Sequence, residues 1–310
     1  GTYIYPPRAS LRIVTDLFSW AARELPNWNT ISISGYHMRE AGASAAQELG
    51  FTLANATVYI DAALDAGLAV DDFAPRLSFF FSADRNFLDE IAKFRAARRL
   101  YAHLMTRRYE TKDPRSAQMR FHVQTAGSSL TAQQPLTNVV RTSYEALSAV
   151  LGGAQSIHVM GYDEAMAIPS DEAVTLALRT QQILGHETGV VDTVDPLAGS
   201  YFVESLTDQI EARSTELIQS IDEAGGAVRA IEAGLPQHWI AENAYRIERA
   251  ISDGTTVKVG VNAYTDDSKT EDLTLFKIDD QSRDRQYSRL EAHIASRDGS
   301  ATKALKSLAE

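Results

Sequence analysis

The sequence has 310 residues, 44% apolar and 23% charged, enough to bury a large core as one big domain or two small ones. A net charge of −11 argues against a nucleic-acid surface, which needs a positive field, and the absence of cysteine excludes disulfides and thiolate metal sites. No apolar run approaches the ~20 residues of a membrane span, and no secretory leader is visible.

Four short runs rich in β-branched or aromatic residues are bounded by Gly, Pro or polar residues and read as strands. They are TISISGY (30–36), PRLSFFF (75–81), MRFHVQT (119–125) and AQSIHVM (154–160). Long helical patterns separate them. The first covers 43–66, the second is NFLDEIAKFRAARRLYAHLMTRRYE after Phe81, and the third is PLTNVVRTSYEALSAVLGG after Gln134. In the third, Leu136, Val140, Tyr144, Leu147 and Leu151 recur at spacings of 4, 4, 3 and 4, which makes one apolar face, stopped by Gly152-Gly153. Strand and helix in alternation predict an α/β fold with parallel strands covered by helices. A closed (β/α)8 barrel needs eight such units and four are present. The expectation is an open sheet or half a barrel, and half a barrel leaves open strand edges and an uncovered apolar interior.

Beyond residue 170 the pattern is helical. DEAVTLALRTQQILGHETG reads as a helix, VDTVDPLAGSYFVE as a loop, and SLTDQIEARSTELIQSIDEAGGAVRAIEAG as two helices with a Gly-Gly break. LPQHWIAENAYRIERAISDG is a further helix. After Tyr264, TDDSKTED and DDQSRDRQ read as solvated or linker-like, and SATKALKSLAE closes the chain mid-helix. The expected division is 1–190, 191–264 and a linker over 265–310.

In parallel α/β folds reactive residues gather at the carboxyl ends of strands. Here those ends carry Tyr36 and His37, then Ser78 and Phe80, then His122 and Gln124, then His158. Any one of these can be a satisfied core polar group; four in register point to a site. His37 follows its apolar run directly, and a neutral imidazole there suits donation to a carbonyl oxygen. Glu40 either shares that site or serves the N-terminus of the next helix. Arg76 suits a phosphate or carboxylate through its planar fork, or an ordinary surface ion pair. QTAGSSLTAQQP (124–135) offers Gly127 for close approach of a bulky planar ligand and lacks the phosphate-loop pattern. YDEAMAIPSDE places Asp163 and Glu164 just past the fourth strand, as hydroxyl-binding or acid–base carboxylates or as an acidic helix start. No metal-ligand spacing and no hydrolase elbow is present.

The stretches YIYPPRASLRIVTDLF, SISGYHMREAGA, DDFAPRLSFFF, AKFRAARRLYA, QTAGSSLTAQQP, LGGAQSIH, DEAMAIPSDEA and VDPLAGSYFVE occur in order from Thr2 to about Tyr264. Together they resemble the large, catalytic subunit of methylmalonyl-CoA mutase and its isobutyryl-CoA, ethylmalonyl-CoA and 2-hydroxyisobutyryl-CoA relatives. The resemblance implies a (β/α)8 barrel holding acyl-CoA along its axis, with adenosylcobalamin across the carboxyl face. Homolysis of the cobalt–carbon bond would start a radical rearrangement, and the protein would position, exclude water and tune. Carried over by position, His37 resembles the histidine that hydrogen-bonds the thioester carbonyl, with Tyr36 beside it in the radical pocket. Arg76, Ser78, Phe80 and Gln124 resemble acyl-CoA contacts. Glu40, Gly127, Glu164 and Ala167 resemble adenosylcobalamin contacts.

Two departures stand out. Met160 occupies the position where relatives carry an asparagine at the adenosyl ribose, so it either alters cofactor binding or fills the space apolarly. None of the seven histidines lies in the D-x-H-x-x-G motif of the family's cobalamin-binding domain. The reading is therefore the C-terminal half of a barrel followed by a helical linker, in a cytoplasmic or mitochondrial-matrix mutase. Its partners would be acyl-CoA and a cobalamin-binding subunit or domain, in a homo- or hetero-oligomer. A non-catalytic subunit that completes a barrel with a partner chain is the other reading.

Overall fold

The computed structural model describes residues 5–25, 27–266, 273, 275–277 and 279–309. The first helix, α1 (Pro7–Glu24), starts on a proline that suits the first turn. Then follow β1 (Ser32–Ser34), α2 (Tyr36–Glu40), α3 (Ala45–Asp65), α4 (Val70–Phe73), β2 (Ser78–Ala83), α5 (Phe87–Arg107), β3 (Phe121–Thr125), α6 (Thr137–Leu151) and β4 (Ser156–His158). The four strands form one parallel sheet in the order β1-β2-β3-β4. Helices α7 (Asp171–Glu187), α8 (Tyr201–Glu223), α9 (Ala227–Glu232) and α10 (Leu235–Ser252) complete this part. The fold is α/β with four parallel strands, mostly helical, as the alternation predicts.

Backbone contacts divide the chain into two units, Gly1–Leu273 and Thr274–Glu310. The second contains α11 (Asp280–Ala295) and α12 (Ser300–Ala309). DDQSRDRQ, expected to be solvated or linker-like, is the start of α11, because the Asp279 carboxylate accepts from the Gln281 N–H (3.0 Å) and caps it. Residues 267–272 of TDDSKTED lie outside the described residues.

The strands bury one face. Ile33, Phe79, Phe81, Phe121 and Val123 are at most 2% exposed and pack with Leu49, Leu53, Ala92 and Phe94 of α3 and α5. Helix α8 packs on α3 and α5 from outside. The opposite face carries Ser32, Ser34, Ser78, Phe80, His122, Gln124, Ser156 and His158, none of them fully buried. In register, Ser34 pairs with Phe80, Phe80 with His122 and His122 with Ser156, so these four form one row across the sheet. This corrects the expected apolar interior. The strands alternate apolar and polar, and phenylalanine is the one apolar residue on the open face.

Helix α6 departs in part from its expected orientation. Leu136, Val140 and Tyr144, three of the five residues of the predicted apolar face, are 52%, 56% and 61% exposed. The helix buries Asn138, Thr142, Glu145 and Ser148 together with Ala146 and Ala149, while Leu147 packs half-buried. The cause is the loop after β3, whose backbone needs partners: Asn138 accepts from the Thr131 N–H (3.1 Å) and donates to the carbonyls of Thr131 and Tyr162 (both 2.8 Å).

One buried ion cluster decides where β1 stops. The ladder ends when the Gly35 N–H donates to the Phe80 carbonyl (2.8 Å). The next outward-facing backbone groups of β2, the N–H and C=O of Ser82, have no strand beside them. The N–H donates to Glu48 Oε1 (2.8 Å), and the carbonyl accepts from Lys93 Nζ (2.7 Å). Lys93 also reaches Glu48 and Glu90 (both 2.5 Å), and Arg39 binds Glu90 (3.0 Å) and Asp84 (3.2 Å). These side chains replace the missing strand and free the chain to enter α2. Gly35 is required at the bend, since a Cβ there would lie 2.4 Å from Thr52 Oγ1 and 2.8 Å from Glu48 Cγ.

Candidate functional site

Because the chain leaves the sheet at Gly35, Tyr36 stands in the first turn of α2 rather than at the end of the strand run expected over 30–36, and His37 follows it in the same turn. The Tyr36 ring stacks on Phe80 (centroids 4.7 Å apart, planes 5° from parallel), and His37 meets the edge of the Tyr36 ring at 5.5 Å. His37 Nδ1 lies 3.2 Å from Ser34 Oγ. Burial, partial though it is, lowers the imidazole pKa and favours the neutral ring at neutral pH. Gln124 donates to the Tyr36 hydroxyl (3.1 Å) and to Met160 Sδ (3.4 Å). Burial first, then the charge of Glu40, pushes the Tyr36 phenol above its ordinary range, so it stays protonated.

Glu40 ends α2 and is tied to the loop after β3. Its carboxylate accepts from the Ser128 N–H (2.9 Å) and the Ser128 hydroxyl (3.3 Å). Burial raises its pKa, and these hydrogen bonds oppose the rise. Gly127 faces this group closely: a Cβ there would be 3.1 Å from Glu40 Oε2 and 3.4 Å from Met160 Cε. Met160 is buried with Tyr36, Leu130 and Phe80, and its N–H donates to Thr125 Oγ1 (2.9 Å). After β4 a tight turn carries Glu164 and Ala167, held by the Asp163 carbonyl accepting from Ala167 N–H (3.1 Å) and by Asp163 Oδ2 accepting from Ser170 N–H (2.8 Å). Burial, then Asp163, raises the Glu164 pKa, and the Glu164 charge acts in turn on Tyr36.

A family model described as methylmalonyl-CoA mutase matches residues 1–310. The chain belongs to the methylmalonyl-CoA mutase family. It is 46% identical over 303 residues to the 2-hydroxyisobutanoyl-CoA mutase large subunit of Aquincola tertiaricarbonis, covering 98% of this chain and 54% of that one. It is 48% identical over 310 residues to methylmalonyl-CoA mutase of Escherichia coli K12, covering 99% and 43%. It is 44% identical over 299 residues to the human mitochondrial enzyme, covering 96% and 40%. The chain thus spans about half the length, or less, of these mutases.

The site residues expected from the mutase resemblance fall into two groups. Tyr36, His37, Glu40, Phe80, Gln124, Gly127 and Met160 meet around the carboxyl end of the sheet, with Glu164 within electrostatic reach of Tyr36. Arg76 and Ser78 do not join them. Ser78 opens β2, rather than closing it, and its hydroxyl meets Asn29 Nδ2 (2.6 Å) and the Ile31 carbonyl (3.2 Å). Arg76 precedes β2 and donates to the Asp72 carbonyl. His122 sits second in β3, not at its end, with Nδ1 2.7 Å from Ser156 Oγ. The strand-end grouping is therefore corrected: β2 runs on to Ala83, so of the run PRLSFFF Arg76 precedes the strand, Ser78 opens it and Phe80 lies mid-strand beside Ser34, the last residue of β1. Sequence reasoning missed Ser34 and Ser128. Ser34 was legible as the last polar residue before His37 in SISGYH, and Ser128 follows Gly127 in the quoted loop. Among the described residues, no single helix is long and apolar enough to cross a membrane.

Proposed function

We propose that this chain supplies one half of the reaction chamber of an adenosylcobalamin-dependent acyl-CoA mutase acting on a short branched acyl-CoA. The observation that carries the reading is the grouping of neutral His37, protonated Tyr36 and clamped Glu40 at the carboxyl end of a polar sheet face. His37 donates to the thioester carbonyl and stabilises charge that develops there. Tyr36, backed by Phe80 and hydrogen-bonded by Gln124, closes the wall beside it and keeps water out. From Ser78 to the level of Gln124 the face runs four residues, about 13 Å, long enough for an extended thioester tail. Arg76 and Ser78 hold the far part of the CoA at the opposite end.

The residues suit the cofactor. Gly127 leaves its backbone open beside Glu40, and Glu40, Glu164 and Ala167 border the same end of the sheet. Bound there, adenosylcobalamin supplies a carbon radical by homolysis of its cobalt–carbon bond. This chain holds the ribose side through Glu40 and Glu164, and Met160 packs apolarly against Tyr36 where relatives carry asparagine. The cobalamin-binding domain or subunit and the rest of the barrel complete the site, and the enzyme works as an oligomer in the cytoplasm or mitochondrial matrix. Methylmalonyl-CoA, isobutyryl-CoA and 2-hydroxyisobutyryl-CoA are the substrates of choice, since relatives named for methylmalonyl and 2-hydroxyisobutanoyl thioesters match almost equally.

The holoenzyme should isomerise one of these thioesters in the presence of adenosylcobalamin; no turnover of any of them would sink the reading. Gly127→Val should weaken adenosylcobalamin binding at least about 10-fold, because the added methyls displace Glu40 or the ligand. Titration by cobalamin absorbance checks this, with acyl-CoA binding unchanged as the control. Unaltered cofactor affinity would remove Gly127 from the cofactor surface.

A further inference from the structure

The segment Thr255–Tyr264 follows α10 and lies against the loop 126–134 that clamps Glu40. Two side-chain bonds join them, and a third ties the segment to α6. Arg141 Nη2 donates to the Val259 carbonyl (2.7 Å), Gln134 Nε2 donates to the Tyr264 carbonyl (3.0 Å), and Lys258 Nζ donates to the Ser128 carbonyl (3.3 Å). The segment is stiff in its own right, since Asn262 donates to the carbonyls of Ile251 (2.7 Å) and Thr256 (2.8 Å) and accepts from the Lys258 N–H (2.7 Å). Lys258 is half-buried and lines the same cleft as Glu40 and Ser128. Ser128 is therefore held from two sides. Its N–H and hydroxyl grip Glu40, while its carbonyl is held by Lys258.

We infer that Lys258 is a positioning residue of the mutase site: it anchors Ser128, and through Ser128 it fixes the Glu40 carboxylate. This rests on the proposed role of Glu40 at the cofactor. Thr255–Tyr264 acts as a strap from the helical region to the reaction chamber. A lysine serves because its Nζ reaches a loop carbonyl while its stem covers the apolar wall made by Ile247 and Ile251. Displacing a carboxylate by a fraction of an ångström in such a site costs rate rather than substrate affinity.

Lys258→Met in the holoenzyme should lower kcat about 10- to 100-fold and leave KM for acyl-CoA unchanged. Lys258→Arg should restore most of the rate. Lys258→Met combined with Glu40→Gln should be no slower than Glu40→Gln alone, because both act through one carboxylate. Amide hydrogen exchange in residues 126–134 should accelerate in Lys258→Met, whatever the chemistry at Glu40. Unchanged exchange in Lys258→Met would overturn the anchoring of the loop. Wild-type kcat in Lys258→Met, no rescue by arginine or fully additive losses in the double variant would overturn the positioning role. Wild-type turnover in Glu40→Gln, with exchange still accelerated in Lys258→Met, would instead remove Glu40 from the site and leave the strap standing.

Discussion

Replacing His37 with alanine in the holoenzyme should lower kcat about 10²- to 10³-fold, with a much smaller change in KM. Three features converge on this residue. Ser34 Oγ engages Nδ1 at 3.2 Å, and in the tautomer where that hydroxyl donates, the ring proton sits on Nε2 and can be given to a ligand. The ring is braced edge-on by Tyr36 at 5.5 Å and Phe80 at 6.2 Å, so its orientation is set before any ligand arrives. Burial keeps it neutral, and a neutral donor strengthens most when the carbonyl oxygen gains charge in the transition state. Ser34→Ala should cost less than His37→Ala, since it frees the tautomer without removing the donor. Steady-state kinetics of both variants check the order; wild-type kcat in His37→Ala would leave it a structural residue.

Lys93→Met should reduce the unfolding free energy by about 3–5 kcal/mol. Lys93 is fully buried, and its ammonium is shared by Glu48, Glu90 and the Ser82 carbonyl. Without it, Arg39 is left, among the described residues, as the cation beside two buried carboxylates, and the Ser82 carbonyl loses its donor. Burial already raises the Glu48 pKa, against the pull of Lys93, so removal of the cation favours uptake of a proton there. Urea unfolding followed by circular dichroism measures the loss. Lys93→Met with Glu48→Gln should cost less than the sum of the two single changes, because the stranded charge is gone. A loss below about 1 kcal/mol in Lys93→Met would mean that water reaches the cluster.

Much of the fold can be read from local pattern. All four strands and the long helices α3, α5 and α6 form where period, caps and breakers place them, within a few residues, whereas α2 and α4 go unpredicted and the expected loop VDTVDPLAGSYFVE gives its last four residues to α8. Ser44 and Gln47 cap α3 reciprocally (3.2 and 2.8 Å), and Gly-Gly at 225–226 separates α8 from α9 as expected. The proposed site was visible because a polar residue such as His37 directly after a strand-like run falls where α/β folds gather reactive groups. The polarity of the open sheet face was harder to see. TISIS, FHVQ and SIH alternate in period two, but each run also contains enough apolar residues to pass for a buried strand. Helix α6 misleads for a different reason. Its apolar stripe is real, yet tertiary contacts bury the polar stripe because a loop without secondary structure needs its backbone satisfied.

By itself, the sequence determined the order of the four strands and of most long helices, the family, and the neighbourhood of His37, since periodicity, capping and short motifs are local properties. Tertiary structure alone decided that β1 stops at Ser34. It also decided that Glu48 and Lys93 take over the exposed edge of β2 at Ser82, and that Ser128 reaches Glu40 from 88 residues away. Those choices depend on which buried polar groups find partners, and the partners come from distant segments that only folding brings together.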